Sequence, residues 1–193
     1  MLFRALCRGS DERARLPPEL VLSIFRGAEI TSREGSAFDA TAKQSIRVSA
    51  SSGTVKHKDW FATAPLAAST LHHLAAVRLY TTSHDQGWAS RPELGSYTWF
   101  EICIASPSAR AGLVVAKRAD GTELRWRSHH NPVANSTPQE LRGEVFGPHH
   151  ELWEYLRESN IIVVRACAQY GGWSNFAMKG ALRFTKFFEP IVT

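Results

Sequence analysis

The sequence contains no apolar run able to span a bilayer: the longest, such as Ile161 to Val164, falls far short of the roughly 20 residues a membrane helix needs. Cysteine is scarce. Cys7, Cys103 and Cys167 form no CxxC or other metal-ligand spacing, so neither a disulfide framework nor a thiolate metal centre is expected. A reducing, intracellular compartment, cytoplasmic or nuclear, is the expectation that follows. Phosphate loops and dinucleotide fingerprints are missing, so no cofactor is indicated, and there is no GxSxG or Cys/His signature for nucleophilic catalysis. Histidine occurs as adjacent pairs, His72-His73, His129-His130 and His149-His150, whose rings diverge on a strand or helix and make no metal site by themselves. The net charge of +5 is scattered and accompanied by no nucleic-acid motif, so nucleic acid is not an expected partner. The opening residues, Met1 to Arg8, have too short an apolar core for a secretory signal. Asp11 and Glu12, just beyond, oppose a mitochondrial reading of the arginines.

What is present fits one well-buried domain with a short appendage in 193 residues. The boundaries expected are a helical segment over 1–30, a linker over 31–75 with an edge strand at Ile46 to Ala50 and a short helix within Leu66 to Leu74, and a β-domain over 76–193. Strands are predicted at Val77 to Thr82, Tyr97 to Ala105, Gly112 to Lys117, Thr122 to Arg127, Glu140 to Phe146, Ile161 to Tyr170 and Ala181 to Phe188. The Ala119-Asp120-Gly121 turn predicts a hairpin between the third and fourth of these, Ser128 to Pro138 a polar loop, and His150 to Arg157 a helical turn. Short strands at this spacing with little helix between them predict an antiparallel β-sandwich of jelly-roll type, with an N-terminal amphipathic helix packed outside it.

Strand parity assigns faces. Phe100, Ile102 and Ile104 alternate with Trp99, Glu101 and Cys103, and Ile162, Val164, Ala166 and Ala168 alternate with Val163, Arg165 and Cys167. If these strands are neighbours, Glu101 and Arg165 come together beside Trp99 on the side away from the core. That is the kit of a polar small-molecule site, or equally a cross-strand ion pair that supports the sheet.

Two loops leave strands with a Gly-Trp step: Ser83-His84-Asp85-Gln86-Gly87-Trp88, followed by Ser96-Tyr97-Thr98-Trp99-Phe100-Glu101, and Tyr170-Gly171-Gly172-Trp173-Ser174-Asn175. As a binding surface, Trp88 and Trp173 would wall a ligand while His84, Asp85, Gln86 and Asn175 bond it, with Trp99, Glu101 and Arg165 as a floor. As structure, Asp85 caps a turn and each indole plugs the end of the sandwich. A third possibility is acid/base catalysis by His84 with Asp85, or by Glu101.

Near the N-terminus, Leu16-Pro17-Pro18-Glu19-Leu20-Val21-Leu22-Ser23-Ile24-Phe25 has prolines suited to a first helical turn and apolar residues at helical spacing. It resembles the opening helix of an F-box, which implies docking on a ubiquitin-ligase adaptor through Leu16, Pro17, Glu19, Leu20 and Ile24. The resemblance stops there, because Thr31 to Ala50 lacks the periodicity of the later F-box helices; the alternative is a helix that packs on its own domain. Val77 to Trp88, Ser96 to Ile104 and Ile161 to Phe184 together resemble a family of uncharacterised basidiomycete fungal proteins with Ser-His-Asp-Gln-Gly-Trp and Thr-Trp-Phe-Glu motifs, which carries no established activity. The architecture is also similar to galactose-binding-like jelly rolls, although the spacer between Trp88 and Tyr97 is short for a long ligand loop. These resemblances imply a lectin-like, carbohydrate-binding module whose partner is a glycan or another polar small molecule.

Overall fold

The computed structural model describes residues 2–32, 38–108 and 112–188. In chain order its elements are α1 (Leu2–Arg8), α2 (Pro18–Gly27), β1 (Thr31–Ser32), β2 (Ala40–Thr41), β3 (Ile46–Ser49), β4 (Lys56–Ala62), α3 (Ala68–Leu71), β5 (Leu74–His84), β6 (Thr98–Ser108), β7 (Gly112–Val115), β8 (Arg125–His130), β9 (Gln139–Phe146), α4 (Leu152–Tyr155), β10 (Ile161–Ala168) and β11 (Ser174–Phe187). None of the helices among the described residues is long and apolar enough to cross a membrane.

The strands form two antiparallel sheets. The first runs β1-β11-β5-β9, with β2 and β3 also on β11; the second runs β4-β10-β6-β7, with β8 also on β6. From β3 to β11 the chain passes back and forth between the sheets, so each sheet is woven from strands distant in sequence. Counting β7 and β8 as one interrupted edge strand, this is the eight-strand order of a jelly roll. The mainly β sandwich expected from the sequence is therefore the fold observed.

The core is built by alternation. Phe100, Ile102 and Ile104 on β6 and Ile162, Val164, Ala166 and Ala168 on β10 point inward, as parity predicts, and meet Val77 and Leu79 of β5 and Leu182 and Phe184 of β11. Each fully buried aliphatic or aromatic side chain contributes about 1.5–3 kcal/mol through apolar burial. Close approach shapes one position in particular: a Cβ on Gly180 of β11 would lie 2.6–2.7 Å from the rings of Phe61 and Trp60 on β4. Any side chain there would drive the sheets apart.

Several expectations are corrected. The edge strand expected at Ile46 to Ala50 is β3, paired with β11, and the short helix is α3, but the stretch between them is not a linker: β4 pairs with β10 from Lys56 to Ala62, and Trp60 and Leu66 are core residues. β4 escapes a periodicity search because it lies at a sheet edge and its first four residues are polar and exposed on both faces. The exposed Lys56, His57, Lys58 and Asp59 of β4 are the charges that keep such an edge from pairing with another chain. The Asp120-Gly121 turn exists but does not join two paired strands. β7 and β8 both pair with β6, along its C-terminal and N-terminal halves respectively, and the turn is an excursion between them closed by a single bridge, Lys117 to Glu123. His129 and His130, placed in a loop above, end β8. The last strand starts at Ser174, directly after the second Gly-Trp loop, rather than at Ala181.

The N-terminal helices pack on the sandwich. Phe25 of α2 meets Phe3 of α1 and Phe188 at ring-centroid distances of 6.0 and 5.3 Å, and Val21 is fully buried. Arg26 donates to the His72 carbonyl (3.1 Å) and lies over the Phe187 ring. The opposite stripe of α2 stays open, with Leu20 and Ile24 half or more exposed.

A candidate binding cleft between the two Gly-Trp loops

Strands β5 and β11 are antiparallel neighbours, so the loop that follows β5 and the loop that precedes β11 emerge at the same end of the sandwich. The two Gly-Trp loops therefore meet. Gln86 stitches them together: its Oε1 accepts the Ser174 amide (3.0 Å) while its Nε2 donates to the Trp88 carbonyl. Trp88 lies against Gly172, where an added Cβ would approach its ring to 3.0 Å and where φ is +90°.

Between the loops lies a cleft of about 450 Å³ lined by Trp88, Ser90, Arg91, Leu94, Tyr97, Tyr170, Gly171 and Trp173. That volume falls within the roughly 300–1,000 Å³ of small-ligand sites. Its aromatic wall is mutually braced: Tyr97 packs edge-on against Tyr170 (4.6 Å) and Trp173 (5.3 Å). Trp88 and Tyr170 present much of their surface to solvent, at 56% and 43% exposure. Tyr170 also holds φ at +68°, a left-handed conformation that a non-glycine residue adopts at some cost and that recurs where loops are shaped for function. Backbone bonds fix this turn from below, with Gln169 N donating to Tyr97 O (2.9 Å) and Gly172 N to Ala50 O (3.3 Å).

The polar residues predicted to contact a ligand are instead bonded within the protein. Asp85, fully buried, accepts the amides of Gly87 (2.7 Å) and Asn135 (2.9 Å) on Oδ1 and of Ala134 (2.7 Å) on Oδ2. Its carboxylate is the anchor of the first loop. The His84 ring stacks on Phe176 (4.7 Å, 7° between planes) on the outer face of the first sheet, and its Nδ1 lies 2.7 Å from the Asp85 carbonyl. Asn175, also fully buried, donates to the Trp99 (3.0 Å) and Cys167 (3.2 Å) carbonyls and accepts from Asn131 (3.0 Å). These four side chains, Gln86 included, shape the loops rather than line the cleft.

Trp99, Glu101 and Arg165 lie on the outer face of the second sheet, not on the cleft floor. β6 and β10 are neighbours and Glu101 stands opposite Arg165 in register, yet their ion pairs run outward. Glu101 accepts Trp99 Nε1 (2.7 Å) and Arg125 (3.0 and 3.2 Å), while Arg165 reaches Asp59 (2.7 Å) and Glu123 (2.8 Å). Arg127 covers the Trp99 ring at 4.7 Å. Edge-strand charges thus roof this face, leaving Glu101 and Arg165 buried and compensated. Beneath the roof, burial pushes the Cys103 thiol up to about 12 and raises that of Cys167 as well.

Of the predicted residues, Trp88 and Trp173 are brought together in the cleft. Tyr97, Tyr170, Arg91 and Leu94 were not singled out, although both tyrosines sit in the stretches that carry the Gly-Trp steps.

No protein-family model matches this chain, and no curated protein does. Six solved chains are similar to it, among them one described as the structure of infectious bursal disease virus Gt strain. That chain is 12% identical with a TM-score of 0.43, and the match covers 79% of this chain and 33% of the other, so this chain spans about a third of its length.

Proposed function

We propose that this protein is a recognition module that binds a glycan in the cleft between its two Gly-Trp loops. The observation that carries the reading is that Trp88 and Trp173, on loops 85 residues apart in sequence, wall one concavity together with Tyr97 and Tyr170. Aromatic faces stack on the C–H surfaces of sugar rings, and the Arg91 guanidinium and Ser90 hydroxyl are placed to fix sugar hydroxyls. With the buried polar residues already bonded, the specificity of such a site rests on ring geometry, on Ser90 and Arg91, and on backbone groups of the loops. A galactose-binding-like relationship would fit this use of loops at one end of a jelly roll, as a fold-level analogy. The test is a glycan array probed with wild type and with Trp88→Ala, both shown to be folded. Retention of a glycan by the wild type and its loss in the variant support the reading; no retention by either sinks it.

A second reading is favoured by α2. Leu20 and Ile24, which the F-box-like pattern would present to an adaptor, are exposed, while Val21 and Phe25 hold the helix to the sandwich. Capture of a ubiquitin-ligase adaptor by the full chain, lost in Leu20→Asp with Ile24→Asp, would establish it. Failure of the wild type to capture one would remove it.

A further inference from the structure

The outer face of the first sheet carries a second feature that the cleft does not absorb. Along β5 the outward residues are Arg78, Tyr80 and Thr82, between the buried Val77, Leu79 and Thr81. Arg78 stands directly opposite Arg183 of β11, and Tyr80 lies between Ala181 of β11 and Arg142 of β9. Lys179 is opposite Thr82. Two adjoining hollows, of about 460 and 680 Å³, share Tyr80, Arg142 and Arg183 as lining.

Like charges directly opposite on paired strands destabilise a sheet, so a face that sets Arg78 against Arg183 with Arg142 alongside is shaped for something other than stability. The carboxylates in the trough offset this charge only in part. Asp39 is held by Arg183 (2.7 Å) and the Phe184 amide (2.9 Å), and Glu29 faces His149 (2.8 Å). Among the described residues that line the trough, exposed Glu140 is the remaining acid. Arg78 is oriented by its Nε bond to the Gly143 carbonyl (2.9 Å), which leaves its terminal nitrogens for another acceptor. Arg142, exposed on β9, forms no ion pair among the described residues.

We infer that this trough is a binding site for a tetrahedral oxyanion ester, a sulfate or phosphate carried on a small polyol, gripped by Arg78, Arg142 and Arg183 around Tyr80. Guanidinium groups match sulfate and phosphate oxygens through paired N–H donors. The single ring of Tyr80 supplies a stacking surface for one sugar. Single-stranded nucleic acid needs successive free rings, and the next ring along the face, Phe176, is enclosed between His84 (4.7 Å) and Arg47 (4.8 Å). The site is independent of the cleft between the Gly-Trp loops.

The experiment is titration calorimetry of the full chain at low ionic strength with sucrose octasulfate, sucrose, inorganic phosphate and a uridine oligonucleotide. Sucrose octasulfate should bind and sucrose should not. Binding of inorganic phosphate with the same arginine dependence would assign the grip to a free oxyanion, and its failure to bind would assign it to the ester on its polyol. Arg142→Gln should weaken octasulfate binding roughly tenfold or more through loss of charge-assisted hydrogen bonds, and Arg142→Lys, which keeps the charge but not the fork, should fall between. Lys58→Gln, an equal charge change on the edge of the other sheet, and Trp88→Ala should leave it unchanged. Equal weakening by Arg142→Gln and Lys58→Gln would overturn the site as nonspecific attraction. Tighter, Arg142-dependent binding of the oligonucleotide would overturn the ligand class.

Discussion

Asp85 offers the sharpest test of how the first Gly-Trp loop is held. Its carboxylate is fully buried and accepts three backbone amides at 2.7–2.9 Å, from Gly87 in its own loop and from Ala134 and Asn135 in the loop beside it. In Asp85→Asn the remaining oxygen can keep Gly87 and Asn135, but the amide nitrogen then faces the Ala134 N–H, donor against donor. Losing that charge-assisted bond should cost about 1.5–3 kcal/mol. Asp85→Ala removes all three acceptors, and because neighbouring bonds are not additive the expected loss is about 3–5 kcal/mol rather than their sum. At about 2–4 °C per kcal/mol for a chain of this length, the alanine variant should melt about 10 °C below wild type, with asparagine between them. Thermal unfolding followed by circular dichroism measures this. An alanine variant within about 1 °C of wild type would refute the idea that Asp85 anchors the loop.

Further outcomes follow from other positions. Gly172→Ala places a Cβ against Trp88 at a φ of +90°, so it should both destabilise the fold by about 1–2 kcal/mol and red-shift tryptophan emission as Trp88 swings outward; unchanged emission would contradict the contact. His129 lies between Ser128 Oγ (3.0 Å) and Thr81 Oγ1 (2.8 Å), and burial pushes its pKa from 6.5 down to about 4. Because the fold holds this imidazole neutral, the associated stability is fully present above pH 6.5 and is lost as the pH falls through about 4. The loss amounts to about 3 kcal/mol. Denaturant melts of His129→Gln should be flatter over that window, keeping the slope from His130 and His150, which burial also lowers, and at its acid end from Glu151, which the Trp126 hydrogen bond lowers; a slope equal to wild type would contradict the burial of a neutral ring. A thiol reagent should modify Cys7 in the native protein and reach Cys103 and Cys167 only after denaturation; three fast thiols would show that the roof over the second sheet opens readily.

The sequence made the central strands legible because their alternation is strict where both sheets press on them. Phe100, Ile102 and Ile104, and Ile162, Val164 and Ala166, point where parity puts them. Parity also placed Trp99, Glu101 and Arg165 on one outer face but could not show that charges from β4, β8 and the turn before β8 would cover them. Those partners lie far off in sequence and carry no periodic signal. The alternation of Ile46 to Ala50 marked β3 as an edge strand, while β4 read as linker for a related reason: a solvated edge strand held by backbone bonds needs little apolar pattern. At the candidate site, the Gly-Trp steps identified both loops, while the roles of Asp85, Gln86 and Asn175 depended on which backbone groups the fold would bring to them. Tyr97 and Tyr170 became wall residues only once β6 and the second loop were side by side.

The claim that matters most is that a ligand sits between the two loops, and the six tryptophans report on it individually. A two-dimensional ¹⁵N–¹H spectrum resolves each indole N–H, and a glycan retained on the array can be titrated against all of them at once. The account predicts that the Trp88 and Trp173 signals move together, while those of Trp60, Trp99, Trp126 and Trp153 stay in place. Movement confined to any of those four, with Trp88 and Trp173 unshifted, would contradict it.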